Sequence, residues 1–481
     1  MTHSPSTSFL PAGLLRRLTV LLAGAALVLV IAPFGTAQAV PAFARQTGMK
    51  CVECHMSWLE LTSTGRRFKL GGYQITKSTE EGEVRPLVTL GFDDPAPLVP
   101  LAFAVQGGVS SSQNTHAGTA GQTGDFPRDG DVILQQASVF LAGKLVDHVG
   151  CFCQWTYDGI AKHASIDNTE IRYANEYSGN GLRALYGVSV NNNPGMSDIF
   201  NTTPVWGWPY ITSSLGVAPN AQTLINGGLA QSVIGTSAYA LVNRTLYLEV
   251  GGYGTSSGVF SVMHAGNPLG NRSVLDGAAP YYRLALQQDW DESRQSAEVG
   301  LFGLDAHKYP DAFNPVGPAD HFVDTAVDAQ YQYITDLNRA SAMFTYISER
   351  QTLDGTYAGG GSSNLNDGLN QLSTKFSYYY ELYYGVSVGY QRTRGSTDQL
   401  LYNTGDPLGG SASGSPNTSA RILEFDYLLP SLAGPDANRT TRLVLQYTAY
   451  TRFDGAAANY SGAGRSARDN NVLYLALWAL W

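Results

Sequence analysis

The stretch His321-Phe322-Val323-Asp324-Thr325-Ala326-Val327-Asp328-Ala329-Gln330-Tyr331-Gln332-Tyr333-Ile334 repeats every second residue. Val323, Thr325, Val327, Ala329, Tyr331 and Tyr333 share one face. Asp324, Ala326, Asp328, Gln330 and Gln332 share the other. Because successive strand side chains point to opposite sides, this alternation predicts a β-strand with one apolar and one polar face. The same pattern recurs. In Arg442 to Phe453, Leu443, Leu445, Tyr447, Ala449 and Phe453 alternate with Arg442, Gln446, Thr448 and Arg452. Leu423, Phe425 and Tyr427 alternate with Glu424 and Asp426, and Leu246, Leu248 and Val250 with Tyr247 and Glu249. Loops rich in Gly, Ser, Asn and Asp separate the runs, at Ser111–Gly130, Gly355–Gly368 and Gly405–Ser419.

From about Leu98 onward such segments number about sixteen, taking strands of about 9 to 11 residues. Apolar residues outward and polar residues inward are what an outer-membrane β-barrel requires, and closure removes backbone groups that lipid cannot hydrate. Tyr is frequent near the strand ends, as aromatic girdles require. The last run, Val472-Leu473-Tyr474-Leu475-Ala476-Leu477-Trp478-Ala479-Leu480-Trp481, ends on an aromatic residue. That ending resembles the terminal strand of bacterial outer-membrane barrels. A soluble all-β protein is the competing architecture, but no propeller-type repeat is present.

Composition agrees. Only 14% of the 481 residues are charged, against about a quarter in soluble domains, while Gly (53) and Tyr (28) are abundant. With 43% hydrophobic residues and no Gly period, collagen-like and disordered chains are excluded. A net charge of -9 argues against a nucleic-acid partner.

The amino-terminal region has a different logic. Arg16 and Arg17 precede an apolar run from Leu18 to Pro33, and Ala37-Gln38-Ala39 supplies a small-x-small cleavage pattern. Residues 1–39 therefore read as an export signal. Next comes Met49-Lys50-Cys51-Val52-Glu53-Cys54-His55-Met56. Cys-x-x-Cys-His is the attachment motif of c-type haem. The two thiols reach two carbons on one porphyrin edge, and the adjacent imidazole turns under the ring to bind iron. A disulfide redox pair does not need His55, and a zinc site needs further ligands that no second Cys-x-x-Cys supplies. Cys51, Cys54 and His55 are thus the candidate cofactor-binding residues, with His55 as axial iron ligand. A helix is expected over about 56–68, with Leu59 and Leu61 against the ring. The sixth ligand stays open: Met49 and Met56 are the local thioethers, Met56 being badly placed beside His55, and an open or water-bound site is an alternative. His116, His148, His163, His264, His307 and His321 read as surface or loop histidines. The expected division is 1–39 signal peptide, 40–76 monohaem cytochrome c domain, 77–97 linker and 98–481 porin-like transmembrane β-barrel.

Other features are weaker. Cys151 and Cys153, two apart on an expected strand, share a face and read as small apolar side chains, with a disulfide or a metal-binding pair as alternatives. Gly-x-Ser-x-Gly occurs around Ser256 and Ser387. A nucleophile elbow needs strand, sharp turn and helix. Ser387 lies within a strand pattern, and no helix pattern follows Ser256. The inward acids Asp324, Asp328, Glu424 and Asp426 are expected to line a solvated lumen, with iron(II) attraction as the functional alternative.

Val40-Pro41-Ala42-Phe43-Ala44-Arg45-Gln46-Thr47-Gly48-Met49, the motif after it and Gly65-Arg66-Arg67-Phe68-Lys69-Leu70-Gly71-Gly72-Tyr73 resemble the fused outer-membrane monohaem cytochrome–porin family of iron-oxidising bacteria and relatives. Gln154 to Gly159, Asn168 to Tyr173, and Asn191-Asn192-Asn193-Pro194 through Trp206-Gly207-Trp208-Pro209-Tyr210 are similar as well. The resemblance implies a mainly β protein: a barrel of about 16 antiparallel strands with a small N-terminal α-helical c-type cytochrome domain docked in it. It implies one covalent haem c, residence in the bacterial outer membrane among its lipids, and electron transfer from an extracellular donor, foremost iron(II), to periplasmic carriers such as soluble c-type cytochromes. A porin-like channel with a haem plug or redox-sensitive gate, and an outer-membrane cytochrome with a different donor, are the alternative functions. The pair Cys151 and Cys153 departs from what the family leads one to expect.

Overall fold

Alternation becomes closure in the computed structural model, which describes residues 41–57, 59–74, 101–112, 130–203, 205, 215–381, 383–429 and 440–480. The signal peptide, the linker 77–97, the Trp206–Tyr210 segment, His116 and Trp481 lie outside the described residues. Sixteen strands, β1 (Leu101–Ser112) through β16 (Val472–Leu480), pair antiparallel in chain order, and β16 pairs back onto β1 to close the barrel. The final strand aligns Trp478 with Gln106 of β1 and with Arg442 of β15 (Thr440–Arg452).

Expected faces match the observed ones except past the end of β15, where a register shift between Ser419 and Ala420 leaves Arg452 exposed and Phe453, expected outside, buried. On β10 (Asp320–Ile334) Val327 and Tyr331 are exposed on the outside, while Asp324, Asp328, Gln330 and Gln332 are buried inside. On β14 (Thr418–Leu429) Leu423 and Phe425 face out and Glu424 and Asp426 face in. Both ends of the barrel are marked by their connections. At the end holding the start of β1, strands are joined by tight turns such as 147–148, 180–181 and 335–337. Asn180 (φ 53°) and Gly181 (φ 76°) show the paired left-handed conformation of a two-residue hairpin. Long connections, 256–278, 396–417 and 453–471 among them, lie at the other end.

The lumen is a packed interior, which corrects the solvated lumen expected from sequence. Residues 192–203 of the connection after β5 (Leu182–Asn191) fold inward. Asp198 organises them by accepting from the backbone N–H groups of Phe200 (2.8 Å), Thr202 (2.9 Å) and Thr203 (2.9 Å). On the wall, Arg283 of β8 (Ala279–Trp290) lies 3.5 Å from Asp198 and 3.6 Å from Glu298, and pairs with Asp328. Arg442 pairs with Glu424 (3.0 Å) and Asp426, and Lys375 lies 3.8 Å from Glu424. Asp324 accepts from the backbone N–H of Ile225 at 2.8 Å. Each of these acids is therefore held by protein partners. Buried charges need such partners, because an isolated one would cost several kcal/mol.

Candidate functional site

Residues 41–74 sit inside the barrel toward the tight-turn end. Three short helices form there: α1 (Pro41–Thr47), α2 (Cys51–Cys54) and α3 (Ser63–Leu70). One turn of α2 places Cys51 and Cys54 three apart and so on one face. Glu53 accepts from the backbone N–H of Lys50 at 3.1 Å and closes the turn's start. His55 is extended (φ -120°) and pairs across a bridge with Leu61. The helix expected over 56–68 is replaced by a loop followed by a later helix. Leu59 takes φ 77°, the Met56 N–H donates to the Glu60 carbonyl at 2.8 Å, and Thr62 caps α3 by accepting from Gly65 N–H at 3.2 Å. A Thr cap fixes where the helix starts, and a left-handed leucine cannot lie within it.

This short segment is held mainly by the wall. The Gln46 side chain donates to the Ala142 carbonyl (3.0 Å) and accepts from Lys144 N–H (3.1 Å). A side chain at Gly143 (φ 139°) would overlap that amide, its Cβ falling 2.1 Å from Gln46. Glu60 accepts from Gln332 (2.8 Å), Gln330 (3.2 Å) and Ser341 (3.0 Å). Arg66 donates to Gln330 (3.1 Å) and Ser296 (2.6 Å). Tyr73 donates to Glu170 at 2.5 Å, and Tyr239 donates to the Leu70 carbonyl at 2.6 Å. From β11 (Asn338–Thr352), Arg339 donates to the carbonyls of Val52 (3.0 Å) and His55 (2.8 Å).

Cys51, Cys54 and His55 open on one cavity of about 1140 Å³, a figure that includes the part open to solvent. Its walls are aromatic and aliphatic: Phe43, Phe68 and Tyr73 from the segment, and Phe140, Phe152 and Trp478 from the barrel. Phe43 and Tyr73 are stacked with centroids 5.2 Å apart. Lys69, Gln136, Gln154 and Asn201 supply polar spots. His55 Nδ1 is shielded from solvent and has no hydrogen-bond partner among the described residues. Burial, and secondarily the charge of Arg339, pushes the imidazole down to about 4, which keeps it neutral with a lone pair to offer a metal. Burial likewise pushes the Cys51 thiol up to about 11 and the Cys54 thiol up to about 12. Two thiols and a neutral imidazole facing one apolar cavity fit covalent haem c.

Of the expected ring contacts, Leu59 and Leu61 both line the cavity. Met49 does so too, whereas Met56 is buried elsewhere. Sequence reasoning missed Met196. It lies on α4 (Pro194–Ser197), where Asn193 caps the turn by accepting from Gly195 N–H at 2.9 Å. Arg172 donates to the Ser197 carbonyl at 3.2 Å, and Lys69 donates to that of Met196. Its side chain is 1% exposed and lines the cavity. The run Asn191-Asn192-Asn193-Pro194 marked the turn, but nothing local linked it to Cys51.

The other candidates fall apart. Ser387 is inside β13 (Tyr384–Gly395), hydrogen-bonded to Ser377. A 3₁₀ helix, Gly258–His264, does follow Ser256, contrary to expectation, and brings His264 Nδ1 to 2.5 Å from its hydroxyl. That hydroxyl is buried and also donates to the Ser232 carbonyl, so it is a structural pin. Cys151 and Cys153 are free thiols.

No family model matches the chain, and no curated protein matches it. Solved structures similar to it include the outer-membrane channel DcaP of Acinetobacter baumannii (12% identity, 79% of this chain, 96% of that one, TM-score 0.42). A loop-deletion variant of OmpT of Vibrio cholerae (7%, 79%, 98%, TM-score 0.40) and Salmonella typhi OmpF in complex with daunomycin (12%, 79%, 97%, TM-score 0.40) are others. The barrel stands on the chain's own strand pairing.

Proposed function

We propose that this chain is an outer-membrane electron-transfer protein carrying one covalent haem c on Cys51 and Cys54, with His55 as axial ligand. Its donor is extracellular, iron(II) foremost, and its acceptors are periplasmic carriers such as soluble c-type cytochromes. The carrying observation is the cavity inside the barrel that receives both thiols and the imidazole together. When bound, haem c supplies a one-electron couple. The chain's own residues do the rest. Cys51 and Cys54 fix position, His55 offers its neutral nitrogen, and Phe43, Phe140, Phe152 and Trp478 exclude water. Burial and the axial ligand are the levers on potential. Membrane residence is supported by the closed sheet and its apolar outer face, and the tight-turn end takes the periplasmic side.

A packed lumen favours this reading over an open channel. Arg283, Glu298 and Asp328 of one wall hold Asp198 of the inward-folded connection against them. The test is attachment. Protein produced with a c-type haem maturation system should gain the mass of one haem and stain for haem on a denaturing gel. Cys51→Ser/Cys54→Ser should do neither. An intact protein whose mass equals the bare processed chain would overturn the proposal.

A further inference from the structure

Far from the cavity, at the long-loop end, two neighbouring strands carry a different constellation. His307 lies near the end of β9 (Gln295–Lys308), and His321 near the start of β10. They are direct cross-strand partners. Their rings are parallel within 3°, with centroids 4.2 Å apart. Asp305, two residues before His307, shares its face, and its carboxylate lies 2.8 Å from His321 Nε2. One ligand atom from each of the three falls within 4.8 Å of the others. All three face outward and remain accessible, the Asp305 side chain being 51% and that of His321 33% exposed. Val299, Leu301 and Val327, lower on the same strands, are exposed apolar residues. The group therefore sits just beyond the apolar band, at the level of polar solvent.

We propose that Asp305, His307 and His321 form a binding site for a divalent first-row transition metal, such as iron(II) or zinc(II). Two imidazoles and one carboxylate, with the remaining positions left to water, are a donor set suited to those ions and poorly suited to magnesium or calcium, which prefer oxygen. Ligands about 2.0 to 2.1 Å from a metal lie roughly 3 Å from one another, so the Asp305–His321 separation is already that of adjacent ligands. The ligand atoms of all three lie within 4.8 Å of one another, so His307 is within reach of the same ion. A paired sheet holds the three Cα positions rigidly, so binding requires side-chain rotation alone. The adverse charge is Arg350, on the same outer face of β11 opposite Val323. The site does not depend on haem.

The test uses full-length, detergent-folded protein without a histidine tag. Cobalt(II) is titrated by absorbance and zinc(II) and anaerobic iron(II) by calorimetry, with wild type compared to His307→Ala/His321→Ala. One equivalent should disappear in the double variant, Asp305→Asn should weaken it at least tenfold, and Arg350→Gln should tighten it. Circular dichroism and heat-modifiable gel migration should stay unchanged, since the three side chains are on the surface. Equal stoichiometry and affinity in wild type and double variant, or no saturable binding in either, would overturn the proposal.

Discussion

Replacing Glu170 by alanine removes the hub that joins the inserted segment to the barrel. In the intact protein Glu170 accepts from Tyr73 (2.5 Å) and Ser189 (2.8 Å), lies 2.9 Å from Arg172 Nε and is 3.9 Å from Lys69. Neither Glu170 nor Arg172 exposes any side-chain surface. Without the carboxylate, Arg172 and Lys69 remain enclosed with like charge, having lost the acid that pairs with both. Breaking a buried pair by removing one partner costs about 3–5 kcal/mol. Opening the segment lets water reach both cations, so the penalty falls on the docked state alone. Local opening should become easier by that amount, and at about 1.4 kcal/mol per factor of ten, amide exchange in residues 63–73 should accelerate on the order of 10²- to 10³-fold. Tyr73→Phe removes one charge-assisted hydrogen bond, about 1.5–3 kcal/mol, and should accelerate the same amides roughly 10- to 100-fold. In the Glu170→Ala background Tyr73→Phe should add little, because its partner is gone. Hydrogen exchange with mass spectrometry reads all three, with β13 and β14 as internal reference. Unchanged protection of 63–73 in Glu170→Ala, or equal acceleration in the reference strands, would refute the claim that this cluster anchors the segment.

Three further outcomes are expected. A Cβ at Gly65 would lie 2.1 Å from the Cys54 carbonyl oxygen, too close for any real contact. Gly65→Ala should therefore displace the Cys54–His55 turn, cost about 1–3 kcal/mol and lower the yield of haem-bearing protein on denaturing gels. Met49 and Met196 both line the cavity, so Met49→Ala and Met196→Ala are compared: the variant whose haem absorption spectrum and reduction potential change names the sixth ligand, and no change in either leaves that position open or water-bound. Asp198→Ala removes the acceptor that orders the inward loop and a partner of Arg283. Single-channel conductance in planar bilayers should be low for wild type and rise in this variant.

What was legible in the sequence follows the range of the forces involved. A period of two reports only which residues share a face, and it placed Leu423 outside and Glu424 inside because burial on either side of a sheet is a local property. Cys51, Cys54 and His55 could be singled out for the same reason, since the motif is carried by adjacent residues, and the structure brings them to one cavity. Contacts set by register between distant strands were not. Asp328 read as a lumen acid, but Arg283 neutralises it from β8, and only closure of the barrel brings the two together. Met196 reaches the cavity because Asp198 and Arg283 draw its loop inward. Of the helix expected over 56–68 only the part from Ser63 forms, because Leu59 turns left-handed and Thr62 caps a later start, neither of which apolar spacing encodes. His307 and His321 read as separate surface or loop histidines; they are on the surface, and only the pairing of β9 with β10 sets them opposite one another.

The most direct test of the central claim is anaerobic stopped-flow mixing of the oxidised, detergent-folded, haem-loaded protein with iron(II), followed at the haem absorbance bands. The account predicts rapid conversion to the reduced spectrum in wild type, and no haem signal at all in Cys51→Ser/Cys54→Ser. A haem that remains oxidised in excess iron(II), yet is reduced by dithionite, would contradict iron(II) as the donor. A wild-type protein without haem absorbance would contradict the electron-transfer reading itself.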